Sequence, residues 1–306
     1  MPIRPFRFGL TIDPGNHQEL VETVHQAEDL GFDVLAGVDH IGPPAGVLPL
    51  LAAVAQVSRL RVSPMVIAND YRHPALVAKD AATIDVLSEG RFELGIGTGW
   101  IEAHYQAAGI PYDSPGTRVA RLVEALEVIK GCWTGDRFQF DGDHYQVDLV
   151  GSPVPIQQPH PPVLIAGSGP QMLRMAGEQA DIVGITLTRG HRSFQTFGPA
   201  IARSGAALSD QLSSIRTGAG ARFESLELSV MIHQYLSDDA QMSEMAAESG
   251  VETGQVESSP HVLVGSTERM CEALIRRREE HGLSYIVVRG AHLDRIGPVV
   301  MQLAGT

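Results

Sequence analysis

The chain has 306 residues, of which 43% are hydrophobic and 19% charged, as is usual for a folded globular protein. Its formal net charge of −13 argues against a nucleic-acid partner, because phosphate backbones select basic surfaces. Apolar runs fall short of the roughly 18 residues of a membrane span, and two cysteines are too few for a disulfide framework, so we expect a cytoplasmic protein.

Eight segments have the apolar pattern of β-strands, and helical patterns lie between most of them. In chain order, these predicted strands are 6–12, 34–38, 60–67, 91–96, 163–166, 182–186, 226–232 and 285–289. Strands that alternate with helices in this way predict a parallel sheet closed into a (β/α)8 TIM barrel with short insertions. Because one barrel accommodates a chain of this length, we expect residues 1–306 to form a single domain.

Two stretches interrupt this alternation. A helix is predicted to stop at Gly131, after which residues 133–147 predict a short hairpin inserted before the fifth strand. Residues 191–223 are rich in Ser, Gly and Ala, and they predict one or two short helices and a mobile segment.

Two glycine-rich loops follow the fourth and fifth predicted strands. They are GIGTGW at residues 95–100 and GSGP at residues 167–170. Both lack the third glycine of G-x-G-x-x-G, which disfavours a dinucleotide-binding fold. Small side chains let a flat ring or a phosphate approach the backbone, and free amides at a helix start suit a phosphate. The two loops therefore predict a cofactor site, although tight strand-to-helix turns would have the same composition.

Polar residues follow most of the predicted strands. Since barrel active sites are built at the carboxyl ends of strands, these residues are expected to converge on one mouth. They are Asp13, Asp39, His40, Asn69, Asp70, Thr98, Ser168, Thr186, Thr188, His233 and Arg289.

Several motifs, in this order, resemble the bacterial luciferase-like superfamily of flavin and deazaflavin oxidoreductases. They are DH at 39–40, RHPALVAKDAATIDVLSEGRFELGIGTGW, RLVEALEVIKGCWTG, FDGDHYQV, QPHPPVLIAGSGP and MAGEQADIVG. The resemblance covers nearly all of residues 6–290 and weakens across 191–225. It implies an eight-stranded barrel, a tricyclic cofactor at its mouth and usually a homodimer.

Within this superfamily, Asp39-His40 resembles the branch that uses the deazaflavin coenzyme F420, and FMN is the alternative cofactor. The resemblance also implies a non-proline cis peptide between Pro64 and Val66, behind the ring. The cofactor-binding residues that it implies are Asp39, Pro64, Met65, Val66, Gly97, Thr98, Gly99, Gly167, Ser168, Gly169 and Pro170.

We expect hydride transfer between F420 and an unidentified small organic substrate, with His40 and Asp39 as catalytic residues. An imidazole exchanges a proton near neutral pH, so His40 is the candidate general acid or base. Asp39 is expected to orient the ring or to bond to the cofactor. The candidate substrate-binding residues are Trp100, Thr186 and Arg189, and the weaker candidates at the mouth are His104, His233 and Arg289.

Trp100 stands where sugar-phosphate dehydrogenases of this branch carry a catalytic glutamate. An indole offers stacking rather than proton transfer, which disfavours a sugar phosphate and favours an apolar or planar substrate. A structural role for His40, and a core role for Trp100, remain open at this stage.

Three other functions compete with this prediction. An FMN-dependent luciferase-like monooxygenase would use the same barrel to react with oxygen. A metal-dependent barrel hydrolase is disfavoured, because the sequence has no H-x-H on a strand and no H-E-x-x-H motif, and we expect no metal. A non-catalytic protein that stores or senses a flavin would bind the cofactor without turnover.

Overall fold

The strands and helices follow one another much as the sequence predicts, in a computed structural model that describes residues 3–42, 45–187 and 197–306. In chain order they are β1 (Arg7–Thr11), α1 (His17–Leu30), β2 (Val34–Gly37), α2 (Val47–Val57), β3 (Arg61–Pro64), β4 (Ile67–Ala68), α3 (Pro74–Leu87), β5 (Leu94–Gly97), α4 (Glu102–Ala108), α5 (Pro115–Cys132), β6 (Phe138–Asp141), β7 (Gln146–Leu149), β8 (Val163–Gly167), α6 (Pro170–Gln179), β9 (Ile182–Ile185), α7 (Phe197–Ala202), α8 (Ser204–Ala219), β10 (Glu227–Met231), β11 (Gln234–Leu236), α9 (Asp239–Ser249), α10 (Thr253–Ser258), β12 (Val262–Val264), α11 (Thr267–His281), β13 (Leu283–Arg289) and α12 (Leu293–Leu303).

The internal contacts divide the chain into two units. The 34–165 unit also contains residues 12–25, and the 166–306 unit also contains residues 1–11 and 26–33. Among the described residues, no helix combines the length and the apolar character that crossing a membrane requires.

In the 34–165 unit, parallel strand pairs form the framework of the candidate site. Strand β2 pairs with β3, β4 pairs with β5, and β5 pairs with residues 163–165. Every residue of β2 and β5 is buried, as expected for parallel strands covered on both faces. The third predicted strand is divided into β3 and β4, and the Met65–Val66 peptide bond between them is cis, as predicted for this segment.

The predicted hairpin is confirmed as the antiparallel pair β6–β7. Its turn is fixed by Glu124 of α5, whose carboxylate accepts hydrogen bonds from the backbone N–H groups of Asp143, His144 and Tyr145. Gly131 does not stop α5, because the helix continues to Cys132. A Cβ at Gly131 would lie 2.0 Å from the Phe138 ring, so this glycine lets the hairpin pack against the helix.

In the 166–306 unit, β13 pairs in parallel with β1 and with β10, and β10 pairs in parallel with β9. Helix α8 has 16 residues, which is longer than the short helices predicted for this region. The parallel pair β11–β12 was not predicted, because three residues per strand are too few for a periodic signal.

Candidate active site

Asp39 follows β2, and its carboxylate is held by an arginine of the same unit. The Arg72 guanidinium donates to both carboxylate oxygens at 2.7 and 2.9 Å, and the Ala68 N–H donates to Oδ2 at 3.0 Å. The Asp39 side chain is only 6% exposed. Since a carboxylate has about four lone-pair positions, these bonds leave one position for a further donor.

Replacing Arg72 with methionine is expected to lower the free energy of unfolding by about 2 to 3 kcal/mol, because Asp39 would remain buried without its cation. Urea unfolding measures this difference. The matched control is Arg137→Met, which breaks the exposed Arg137–Asp148 pair and should change stability little. Equal losses in the two variants would show that the Asp39–Arg72 pair adds nothing beyond a surface ion pair.

His40 is half-buried, and His104 lies beside it. The centroids of the two rings are 5.3 Å apart, with 65° between the ring planes. Nδ1 of His104 is buried and has no hydrogen-bond partner among the described residues. The structure therefore brings a weaker predicted candidate, His104, next to the predicted acid or base.

The loop after β5 is held by side chains that the sequence analysis did not single out. The Tyr105 hydroxyl donates to the Thr98 carbonyl at 2.9 Å, and the Tyr112 hydroxyl donates to the Trp100 carbonyl at 3.2 Å. Arg118 donates to the carbonyls of both Thr98 and Gly99. Three consecutive carbonyl groups of the loop are thus bonded to three side chains.

Gly99 is fixed in a conformation that suits glycine alone. Its φ is +71°, and a Cβ there would lie 2.0 Å from the Tyr105 hydroxyl oxygen. The absence of a side chain at Gly99 therefore lets Tyr105 reach the Thr98 carbonyl, independently of any ligand.

Three charged side chains lie next to the residues that hold this loop. Arg121 pairs with Asp70 at 3.0 Å and also with Asp113, and the Asp70 carboxylate lies 3.3 Å from the Tyr105 hydroxyl. Burial, followed by the negative charge of Asp39, raises the pKa of Tyr71 to about 12, and burial also raises the pKa of Tyr105. Both phenols therefore remain protonated at neutral pH.

The inserted hairpin reaches the segment after β4 through Tyr145. The Asn69 side-chain amide donates to the Tyr145 hydroxyl at 3.2 Å, and Asn69 itself is buried. The hairpin is thus tied to the polar residues that follow β4.

In the 166–306 unit, the second glycine loop is anchored to Thr186. The Thr186 N–H donates to the Gly167 carbonyl at 3.0 Å, and α6 begins at Pro170 after Gly169. Apart from its chain neighbours, no atom of the described residues lies within 4 Å of the position that a Cβ of Gly169 would take. The structure therefore brings loop 167–170 and Thr186 together, while Arg189 lies outside the described residues.

His233 and Arg289, the two weaker candidates of the 166–306 unit, also meet. Nη2 of Arg289 lies 3.3 Å from Nδ1 of His233. Within the described ranges, no group of three or more His, Cys, Asp or Glu side chains is arranged to hold a metal ion.

A family model, described as luciferase-like monooxygenase, matches residues 4–282. The chain belongs to this luciferase-like family. Among solved structures, the coenzyme F420-dependent tetrahydromethanopterin reductase of Methanopyrus kandleri superimposes with a TM-score of 0.76, at 18% identity over 98% of each chain. This likeness shows the fold and confirms the predicted TIM-barrel class.

Two curated relatives of this luciferase-like chain differ in cofactor. The chain is 35% identical over 190 residues to an F420-dependent glucose-6-phosphate dehydrogenase of Intrasporangium calvum, a match that covers 56% of this chain and 54% of that protein. It is 34% identical over 131 residues to an FMNH2-dependent dimethylsulfone monooxygenase of Pseudomonas putida, covering 42% of this chain and 36% of that protein. The chain thus spans about half the length of the first relative and about a third of the second.

Proposed function

We propose that this protein is an oxidoreductase that transfers a hydride between coenzyme F420 and a small organic substrate. The observation that carries the proposal is the 35% identity to an F420-dependent glucose-6-phosphate dehydrogenase. The positions of Asp39, His40 and the glycine loops after β5 and β8 support it, since polar groups and close backbone approach at strand ends are what such a site requires.

Taken by itself, each unit carries residues that fit one part of F420. In the 34–165 unit, the Asp39 carboxylate keeps one lone pair for a donor on the ring. In the 166–306 unit, Gly169 at the start of α6 suits the approach of a phosphate to the backbone. When bound, a deazaflavin would supply a ring carbon that accepts or gives up a hydride. The proposed cofactor-binding residues are Asp39, Pro64, Met65, Val66, Gly97, Thr98 and Gly99 in the 34–165 unit, and Gly167, Ser168, Gly169 and Pro170 in the 166–306 unit.

His40 is the proposed general acid or base. It exchanges the proton that leaves or reaches the substrate together with the hydride, as an imidazole can near neutral pH. Asp39 acts with it by holding Arg72 and the end of β4 in place.

The substrate class follows from Trp100, which is half-buried and has its carbonyl bound by Tyr112. An indole at this position favours an apolar or planar substrate. The other proposed substrate-binding residues are Thr186 and Arg189.

An FMN-dependent monooxygenase is the second candidate, favoured by the match to the Pseudomonas putida enzyme. Titration of the purified chain with F420 and with FMN, followed by fluorescence, separates the two. We expect F420 to bind at least about tenfold more tightly, a difference of about 1.4 kcal/mol. Tighter binding of FMN would favour the monooxygenase, and binding of neither would refute both candidates.

We also propose that the protein is a cytoplasmic homodimer in which residues 1–306 form one barrel domain. The family resemblance supports this proposal. Sedimentation velocity of the purified chain tests the dimer.

A further inference from the structure

We propose that Tyr105, Tyr112 and Arg118 are positioning residues for cofactor binding, which act by fixing the backbone of residues 98–100. We call these three side chains the carbonyl clamp. The inference deepens the proposed function and rests on it for the identity of the ligand. The clamp itself is defined by contacts within the 34–165 unit.

The clamp residues support one another. The rings of Tyr105 and Tyr112 are 4.9 Å apart in an edge-to-face contact, and the Arg118 guanidinium carbon lies 4.2 Å from the centroid of the Tyr112 ring. Tyr105 is fully buried and Arg118 is only 6% exposed, so that water competes little with their hydrogen bonds.

The carbonyl bonds determine where the loop amides point. In a trans peptide the C=O and N–H groups point in opposite directions. Because the Thr98 carbonyl faces Tyr105 and Arg118, the Gly99 N–H points away from them. The clamp therefore fixes the direction in which the Gly99 N–H is offered to a ligand.

Arg118 acts through hydrogen bonds rather than through net charge. Its guanidinium bonds to the backbone carbonyls of Asp113, Thr98 and Gly99. Arg118 and Arg121 carry two positive charges, and Asp70 and Asp113 carry two negative charges, so the formal charge of this group is zero. A lysine at position 118 would keep this balance, but it lacks the Nε–H that donates to the Asp113 carbonyl and the planar fork that fixes Nη1 against the carbonyls of Thr98 and Gly99.

The chain offers a matched control in Arg91. Its guanidinium likewise donates to backbone carbonyls, those of Ser58, Leu60 and Ala55, at 2.7 to 3.0 Å. These bonds fix the C-terminal end of α2 and the residues before β3, away from residues 98–100. Arg91→Lys therefore removes an equivalent set of bonds without touching the loop.

The first measurement uses the free protein, so it does not depend on the cofactor. We compare amide hydrogen exchange of the segment 97–104 in the wild type and in Tyr105→Phe, Tyr112→Phe, Arg118→Lys and Arg91→Lys. The three clamp variants should exchange at least about tenfold faster in this segment than the wild type. Arg91→Lys should leave the exchange of this segment unchanged.

The second measurement is the Kd for F420. We expect it to rise about tenfold in Tyr105→Phe and Arg118→Lys, and less in Tyr112→Phe, whose hydrogen bond is longer. In Arg91→Lys the Kd should stay unchanged even where the melting temperature falls. If Arg118→Lys does not fold, the two phenylalanine variants, which keep the ring volume, decide the question.

The two measurements separate the inference from the proposed function. If the clamp variants exchange and bind like Arg91→Lys, the clamp is merely structural and the inference is wrong. If the wild type binds no F420 but the clamp variants still loosen residues 97–104, the proposed cofactor is wrong and the clamp remains a device that fixes this loop. If the wild type binds F420, and the clamp variants exchange faster but bind F420 with an unchanged Kd, the role of the clamp in cofactor binding is overturned.

Discussion

Replacing His40 with glutamine is expected to lower the rate of hydride transfer by about 10²- to 10⁴-fold, the range found when a general acid or base is removed. Glutamine keeps a polar side chain beside His104 but cannot exchange a proton near neutral pH. Since Asp39 and the glycine loops are the proposed cofactor-binding residues, the Kd for F420 should change little in this variant. The measurement is single-turnover absorbance of the bound deazaflavin, together with a binding titration.

His25→Gln is the matched control for this experiment. His25 lies on α1 and is exposed, so its loss should alter neither the rate nor the Kd. A normal turnover rate in His40→Gln would remove His40 from the chemistry and leave it as a structural histidine. If His40→Gln loses both the rate of hydride transfer and the binding of F420, His40 is instead a binding residue.

The pattern of strands could be predicted from the sequence because it depends on local repeats. All eight predicted strands are present, and β2 and β5 are continuous apolar runs, which is the local signature of a parallel strand. The caps of α11, Ser266 at its start and Gly282 at its end, are local signals of the same kind, since capping depends on one or two residues. Gly131 has the same local signature as a helix stop, but its contact with the Phe138 ring became visible only in three dimensions.

The candidate site could be predicted only in part. Its glycines and Asp39-His40 stand out as short motifs, whereas the partners that fix them are distant in sequence. Arg72 lies 33 residues from Asp39, and Arg118 lies 20 residues from Thr98. No local pattern pairs such residues, because a long side chain from a distant segment of the chain can reach a strand end.

The glycine loop shows most clearly how two causes can produce one motif. In the sequence, its small residues fit both the approach of a ligand and a tight strand-to-helix turn. In the structure, Gly99 makes room for Tyr105, and Gly95 makes room for the Pro64 carbonyl. Part of the motif is thus required by packing alone, which a single sequence does not distinguish from a requirement of binding.

Replacing Gly95 with alanine is therefore expected to destabilise the whole 34–165 unit. The new Cβ would lie 1.9 Å from the Pro64 carbonyl oxygen and 3.1 Å from Cγ1 of Val66. Because the first of these atoms belongs to the backbone, no change of rotamer relieves the overlap, and β3 and β5 must move apart. We expect the free energy of unfolding to fall by about 3 kcal/mol or more.

Gly116→Ala is the matched control in the same unit. Gly116 lies in the first turn of α5, and the nearest atom to its new Cβ is Ser114 Oγ at 3.9 Å. Alanine there should be neutral or stabilise the protein by up to about 1 kcal/mol. Urea unfolding of the two variants beside the wild type gives the comparison.

The Gly95 variant also tests how the strand positions the loop. Strand β5 leads directly into residues 98–100, so a shift of β5 should weaken F420 binding in the molecules that still fold. A Gly95→Ala protein with wild-type stability would show that β3 and β5 can separate at little cost. In that case, the close approach of β3 and β5 would not explain why a glycine stands at the start of the motif.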